Sequence, residues 1–118
     1  MNNFTFFNIP HLTLFVNDKN IAKLDKSLKI AKEVDRIFLA QTEPLEIIDK
    51  GYNRVIKIEK SGSNTTVVWN PNKDLAEMSP NQYKQFVCVE PSNVGESHVC
   101  LQPHQTHQLT TTISVDKL

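Results

Sequence analysis

Among the 13 carboxylates and four histidines of this 118-residue sequence, two carboxylates, Glu90 and Asp35, stand where proton transfer could use them. Glu90 closes the run Gln85-Phe86-Val87-Cys88-Val89-Glu90, whose residues alternate. In an extended strand Phe86, Cys88 and Glu90 share one face, and Val87 and Val89 share the other. A carboxylate at the end of an apolar face is expected to be partly desolvated, the condition under which a side chain serves as a general base. Pro91 is expected to stop the strand directly after it. Asp35 ends a second apolar approach, Glu33-Val34-Asp35-Arg36-Ile37-Phe38. The histidines offer less. His104 and His107 lie three residues apart, which on a strand turns their rings to opposite faces. No third or fourth ligand accompanies them, so no metal is expected. His98 reads as an edge or surface residue and His11 as a loop residue after Pro10. No glycine-rich phosphate loop is present, since Gly51, Gly62 and Gly95 are isolated.

The elements that must position the two carboxylates are mostly β. Thr65 to Trp69 approaches as a strand and stops at Asn70-Pro71. The runs Phe4–Ile9, Leu12–Val16, Arg36–Ala40, Leu45–Ile48, Arg54–Glu59, His98–Gln102 and Gln108–Val115 are short and rich in Val, Ile, Thr or Phe. Breakers separate them: Pro44, Lys50-Gly51, Ser61-Gly62-Ser63, and the turn Asn17-Asp18-Lys19-Asn20. Arg54 to Lys60 alternates, so one of its faces is wet. Asn20 to Val34 supports two readings. Ile21, Leu24, Leu28, Ala31 and Val34 follow helical spacing with lysines opposite, which places a short helix over Asn20 to Lys32. The other reading, a loop leading into a strand, is what the family resemblance set out below implies. Asp74 to Tyr83 has room for a helical turn. Many short strands at regular spacing define an all-β antiparallel sandwich.

The whole chain carries 13 Lys plus Arg and 13 Asp plus Glu, so no net charge marks a nucleic-acid or anionic-lipid partner. No apolar run is long enough to span a bilayer, and the N-terminus lacks the pattern of a secretory signal. Cys88 and Cys100 sit inside apolar runs and read as buried free thiols of a reducing, cytoplasmic compartment. Trp69 is expected to pack in the core, with stacking on a sugar ring as the alternative.

VVWNP at Val67 to Pro71, followed by Tyr83 and then FVCVE at Phe86 to Glu90, resembles the C-terminal signature of the glucose-6-phosphate 1-epimerases. These enzymes are also called hexose-6-phosphate mutarotases and belong to the aldose 1-epimerase superfamily. Glu33 to Phe38 resembles the Asp-Arg motif of the same family, and Leu101-Gln102-Pro103 with Leu109 and Ile113 resembles its closing strands. The resemblance covers about Glu33 to Val115 and implies part of a galactose-mutarotase-like supersandwich, with residues 1–118 forming a single, incomplete domain. It implies a hexose 6-phosphate substrate, no cofactor, Glu90 as the catalytic base and Asp35 as a substrate-binding residue. The family's acid is a histidine at the head of a run that here reads Phe4-Thr5-Phe6-Phe7-Asn8-Ile9. Phe4 therefore stands at the acid's position, and phenylalanine donates no proton. The family's phosphate-binding cations lie upstream of the matched region. The resemblance thus implies an isomerase that is weak or inactive as this chain alone, or a non-catalytic sugar-binding remnant. A plain β-sandwich interaction module is the third reading. An incomplete sandwich is also expected to expose an apolar sheet face that self-associates.

Overall fold

A computed structural model describes residues 12–16, 27–29 and 32–118, with side chains from residue 32 onward. Eight strands follow one another in the described chain: β1 Leu12–Val16, β2 Ser27–Lys29, β3 Val34–Phe38, β4 Leu45–Asp49, β5 Arg54–Ser61, β6 Thr65–Asn70, β7 Cys88–Ser92 and β8 Thr110–Lys117. They form two antiparallel sheets, one of five strands ordered β2-β1-β4-β5-β8 and one of three ordered β3-β6-β7.

The alternation in β4 and β5 decides how the sheets meet. Leu45 pairs with Ile58 and Ile47 with Ile56, so these four side chains share one face, and all four are buried. Val34 and Val68 of the three-stranded sheet complete the same cluster, with Phe38, Val87 and Val89 packed against it. Among the described residues, six buried aliphatics form this core.

Polar groups close this core at both ends. At one end Asp49, fully buried, accepts from Arg54 Nε at 2.7 Å and from the Tyr52 backbone N–H at 3.3 Å. Arg54 also stacks over the Tyr52 ring. The β4–β5 hairpin is therefore locked by its own flanking pair. At the other end Lys60 reaches across from β5 to β6. Its ammonium donates to the Thr65 carbonyl at 2.8 Å, Thr66 Oγ1 at 2.7 Å and Ser63 Oγ at 3.2 Å. Thr66 Oγ1 in turn donates to Gln41 Oε1 at 2.7 Å.

Every oxygen that Lys60 meets in these bonds is neutral, and burial lowers its pKa from 10.5 to about 8. The folded state therefore releases this proton more readily than the unfolded chain. The charged form costs stability below pH 8, and that cost is relieved as the pH rises from about 8 toward 10.5. The stability of the native chain relative to Lys60→Met is expected to increase across that window, read from urea midpoints at several pH values. A decrease would mean that the three hydrogen bonds outweigh desolvation.

Several sequence expectations are corrected. β7 begins at Cys88 and continues through Pro91, which pairs with Thr66. Proline fits because β7 is an edge strand among the described residues, where an outward-facing N–H is dispensable. Gln82–Gln85 forms a 3-10 turn after Asn81, whose φ is 63°, in place of the strand start expected at Gln85. His98–Gln102 forms no strand: its apolar residues find no partner, and Val99 and Leu101 are exposed. Ser27–Lys29 is a strand paired with β1, so this part of the helical reading fails, and pairing with a neighbouring strand wins over helical spacing. Cys88 is a half-buried free thiol, and Cys100 is exposed where burial was expected. Phe4–Ile9, His11 and the turn at 17–20 lie outside the described residues.

Candidate functional site

The outer face of the three-stranded sheet brings the predicted site residues together. Asp35 pairs with Trp69, and Trp69 pairs with Cys88. Val67 pairs with both Ile37 and Glu90. Directly paired residues point to the same side, and so do alternate residues along a strand. One face therefore carries Asp35 and Ile37 from β3, Val67 and Trp69 from β6, and Cys88 and Glu90 from β7. The other face holds Val34, Val68 and Val89 and meets the five-stranded sheet. Asp35 and Glu90 flank the central strand, two strands apart and offset by two residues. Standard strand spacings separate their backbones by roughly 12 Å. Trp69 and Val67 of the central strand lie between the two carboxylates.

Both carboxylates are exposed, so the partial desolvation expected of Glu90 is not found. Cys88 differs. Burial raises its pKa, and the neighbouring Glu90 charge raises it further. The thiol is kept protonated and is a poor nucleophile. Trp69 is half-buried, packed against Phe86 with ring centroids 5.8 Å apart, and lies outside the core in which packing was expected. Phe86 lines up with Cys88 and Glu90 on this outer face, as the alternation predicts. Val87 and Val89 turn inward to the core.

What fixes Glu90 is a set of clamps that sequence reasoning missed. Asn70 is fully buried. Its amide donates to the carbonyls of Tyr83 and Phe86 at 2.8 Å each, and its Oδ1 accepts from the Asn72 N–H at 2.9 Å. The 71–87 connection is thereby tied to the end of β6 and delivered into β7 in register. At the far end of β7, Ser63 Oγ lies 2.8 Å from the Ser92 carbonyl, and Thr65 Oγ1 lies 3.0 Å from Ser92 Oγ. Asn93 Oδ1 accepts from the Asn64 N–H at 2.8 Å, and Asn93 Nδ2 donates to the Gly62 carbonyl at 2.8 Å. Glu90 sits between two pinned ends. An asparagine directly before a strand-stopping proline was the one available signal for the first clamp.

Two of the described histidines, His98 and His107, meet backbone carbonyls of turns. His107 Nε2 lies 2.7 Å from the Gly62 carbonyl. Gly62 has φ +71°, and a Cβ there would collide with the Gln108 carbonyl, so this turn needs glycine to seat the segment entering β8. His98 Nδ1 lies 2.8 Å from the Gly95 carbonyl and is exposed, away from any strand. Among the described residues, no three His, Cys, Asp or Glu side chains are grouped to hold a metal ion. No helix among them is long and apolar enough to cross a membrane.

The aldose 1-epimerase family model matches residues 5–114, and the chain belongs to that family. It is 35% identical over 75 residues to a protein of Cenchrus ciliaris, covering 60% of this chain and 22% of that one. It is 32% identical over 66 residues to a protein of Haemophilus influenzae, covering 55% and 24%. It is 31% identical over 87 residues to a protein of Escherichia coli, covering 70% and 29%. All three carry the name "putative glucose-6-phosphate 1-epimerase". Among solved structures, HI1317 superposes with a TM-score of 0.72 at 22% identity, covering 95% of this chain and 43% of that one. A "putative mutarotase" from Salmonella typhimurium superposes with a TM-score of 0.71 at 22% identity, covering 97% and 43%. The fold is thus an antiparallel β-sandwich shared with mutarotase-like proteins. The chain spans less than a third of the length of these curated relatives.

Proposed function

We propose that the chain is the base-bearing part of a hexose-6-phosphate 1-epimerase, with the outer face of β3-β6-β7 as its sugar surface. The observation that carries the reading is the placement of Asp35 and Glu90 on one exposed face, on either side of Trp69 and Val67. Mutarotation requires a base to take the proton of the anomeric hydroxyl while an acid protonates the ring oxygen, so that the C1–O5 bond opens and recloses on the other side. Glu90 is the base in this scheme. Asp35 accepts hydrogen bonds from sugar hydroxyls, and Trp69 offers a flat apolar surface to the ring's C–H face. The names of the curated relatives support the hexose 6-phosphate class. In this proposal the residues supplying the acid and the phosphate-binding cations lie outside the 118 residues, which form an incomplete domain.

Phe4, at the position of the family's acid, favours a second reading: a sugar-binding remnant without turnover. Binding to the face is common to both readings and is tested first. Trp69 is the sole tryptophan of the sequence, so its indole N–H resonance reports on this face alone. Titration with glucose 6-phosphate is expected to shift that resonance saturably at millimolar concentrations. Asp35→Asn is expected to weaken the titration several-fold with the fold unchanged. Shifts confined to the five-stranded sheet, or an equal response in Asp35→Asn, would remove the site assignment.

A further inference from the structure

Trp69 and Asn70 are consecutive residues of β6, so their side chains leave opposite faces of the sheet. Both reach the same stretch of chain, the segment 83–86 that leads into β7. From the outer face the Trp69 ring meets the Phe86 ring, with centroids 5.8 Å apart and planes tilted by 41°. From the inner face, where Asn70 pairs with Val34, the buried amide of Asn70 donates to the Tyr83 and Phe86 carbonyls. Phe86 is thus held by its backbone from one side of the sheet and by its ring from the other.

The bonding capacity of Asn70 is matched to this task. A primary amide has two N–H donors and one carbonyl oxygen. The donors meet the two carbonyls at 2.8 Å each, and the oxygen accepts from the Asn72 N–H. Reversing the amide would set its oxygen against two carbonyl oxygens, so the network admits one orientation. Tyr83 lies inside the 3-10 turn Gln82–Gln85, and Phe86 is the extended residue directly after it, with φ −143° and ψ 158°. The two bonds therefore span the change from turn to strand and fix the direction in which the Phe86 side chain leaves the backbone. Asp74 Oδ1 accepts from the Asn81 N–H at 2.7 Å, so the turn is also held where it begins.

Resting on the reading of the outer face as a sugar surface, we propose that Asn70 is its positioning residue and sets the tilt of the Trp69 ring through Phe86. A tryptophan side chain turns about two torsions, and the flat contact it offers to a sugar's C–H face depends on both. Strand pairing fixes the Trp69 backbone and neither torsion. Phe86 supplies the stop against which the indole rests, and Asn70 supplies the place of Phe86. These contacts all join residues 69–86 to one another, so none of them depends on what covers the outer face.

An aromatic ring shifts the resonances of protons beside it, so the Trp69 indole N–H reports the Phe86 ring in the free chain. Asn70→Ser stays neutral but donates to one carbonyl at most. It is expected to move the Trp69 resonance in the same direction as Phe86→Leu and to abolish the nuclear Overhauser contact between the two rings. Ile56→Val trims the core without touching this segment and is expected to leave the resonance in place. Glucose 6-phosphate titrations are expected to weaken several-fold in Asn70→Ser and in Phe86→Leu. The double variant is expected to bind no more weakly than either single variant, because one residue acts through the other. Multiplied losses in the double variant would overturn the proposal, as would an unmoved Trp69 resonance in a folded Asn70→Ser. Asn70→Asp, which keeps the bond to Asn72 and loses both donors, serves as a second variant. Failure of both Asn70 variants to fold would make the clamp a requirement of the fold alone and would equally overturn the proposal. A native chain whose Trp69 resonance ignores glucose 6-phosphate removes the sugar surface itself. Weakening in Asp35→Asn with full binding in Asn70→Ser keeps that surface and removes Asn70 from it.

Discussion

Glu90→Gln is expected to abolish whatever mutarotation of glucose 6-phosphate the chain supports, while Phe4→His alone is expected to leave that activity near its starting level. A positioned acid or base contributes on the order of 10²–10⁴-fold to proton-transfer chemistry. With phenylalanine at the acid's position, ring opening loses a factor of that size before any other defect is counted. In the proposed reading the phosphate-binding cations lie outside this chain, so the sugar would also be poorly oriented, and orientation is itself a large part of catalysis. A histidine restored at position 4 protonates O5 only if the ring is already held. Polarimetry or a coupled-enzyme assay on the native chain, Glu90→Gln and Phe4→His distinguishes the readings. Robust activity in the native chain that disappears in Glu90→Gln establishes the base and shows that another group supplies the acid. Equal traces in all three proteins, with sugar binding intact, establish the non-catalytic remnant. Activity retained in Glu90→Gln would end the role given to this carboxylate.

The legible parts of the fold are those whose information is local. Leu45–Asp49, Arg54–Ser61 and Thr65–Asn70 alternate or run apolar between clear turn residues, and each lies within two residues of its expected bounds. The same local alternation places Phe86, Cys88 and Glu90 on one face and Val87 and Val89 on the other. Local information misled where a strand needs a partner. His98–Gln102 is as apolar as β7 but has no neighbour to bond, so it stays irregular and exposed. The lysine-rich stretch before Val34 satisfies helical spacing, yet Ser27–Lys29 is captured by β1. Proline misled in the same way: Pro91 breaks a central strand, but β7 is an edge among the described residues.

The clamps that hold the site were invisible for a different reason. Asn70 binds carbonyls 13 and 16 residues away, and Ser63 and Asn64 meet Ser92 and Asn93 from 29 residues away. Nothing in a periodicity records such pairs. Trp69 shows the limit of composition as a guide. A lone tryptophan in an apolar run suits a core, but its register with Asp35 and Cys88 places it on the outward face. Exposure of Glu90, too, depends on what covers that face, which its own strand does not determine.

Asp49 and Asp35 make a matched pair for separating folding from function, and Asp49→Ala is expected to destabilise the chain by about 3–5 kcal/mol, the usual cost of breaking a buried ion pair. Asp49 is 0% exposed, and its Oδ2 sits 2.7 Å from both Nε and Nη2 of Arg54. Removing the carboxylate takes the ion-pair partner from the Arg54 guanidinium beside the aliphatic core and frees the Tyr52 N–H that closes the hairpin. The fold cannot relax cheaply, because Arg54 neighbours Ile56 on the inward face of β5 and faces Asp49 across the ladder. A loss of this size is a large fraction of the ~5–15 kcal/mol by which small domains are stable. Asp49→Ala is therefore expected to be largely unfolded at physiological temperature, or to melt far below the native chain. Asp35→Asn removes an exposed carboxylate and is expected to change stability by less than about 0.5 kcal/mol. Thermal unfolding of the two variants checks both statements. Similar melting temperatures for Asp49→Ala and the native chain would show that the Arg54 pair contributes nothing net. A large loss in Asp35→Asn would mean that this carboxylate serves the fold, and its place on the sugar surface would then have to be given up.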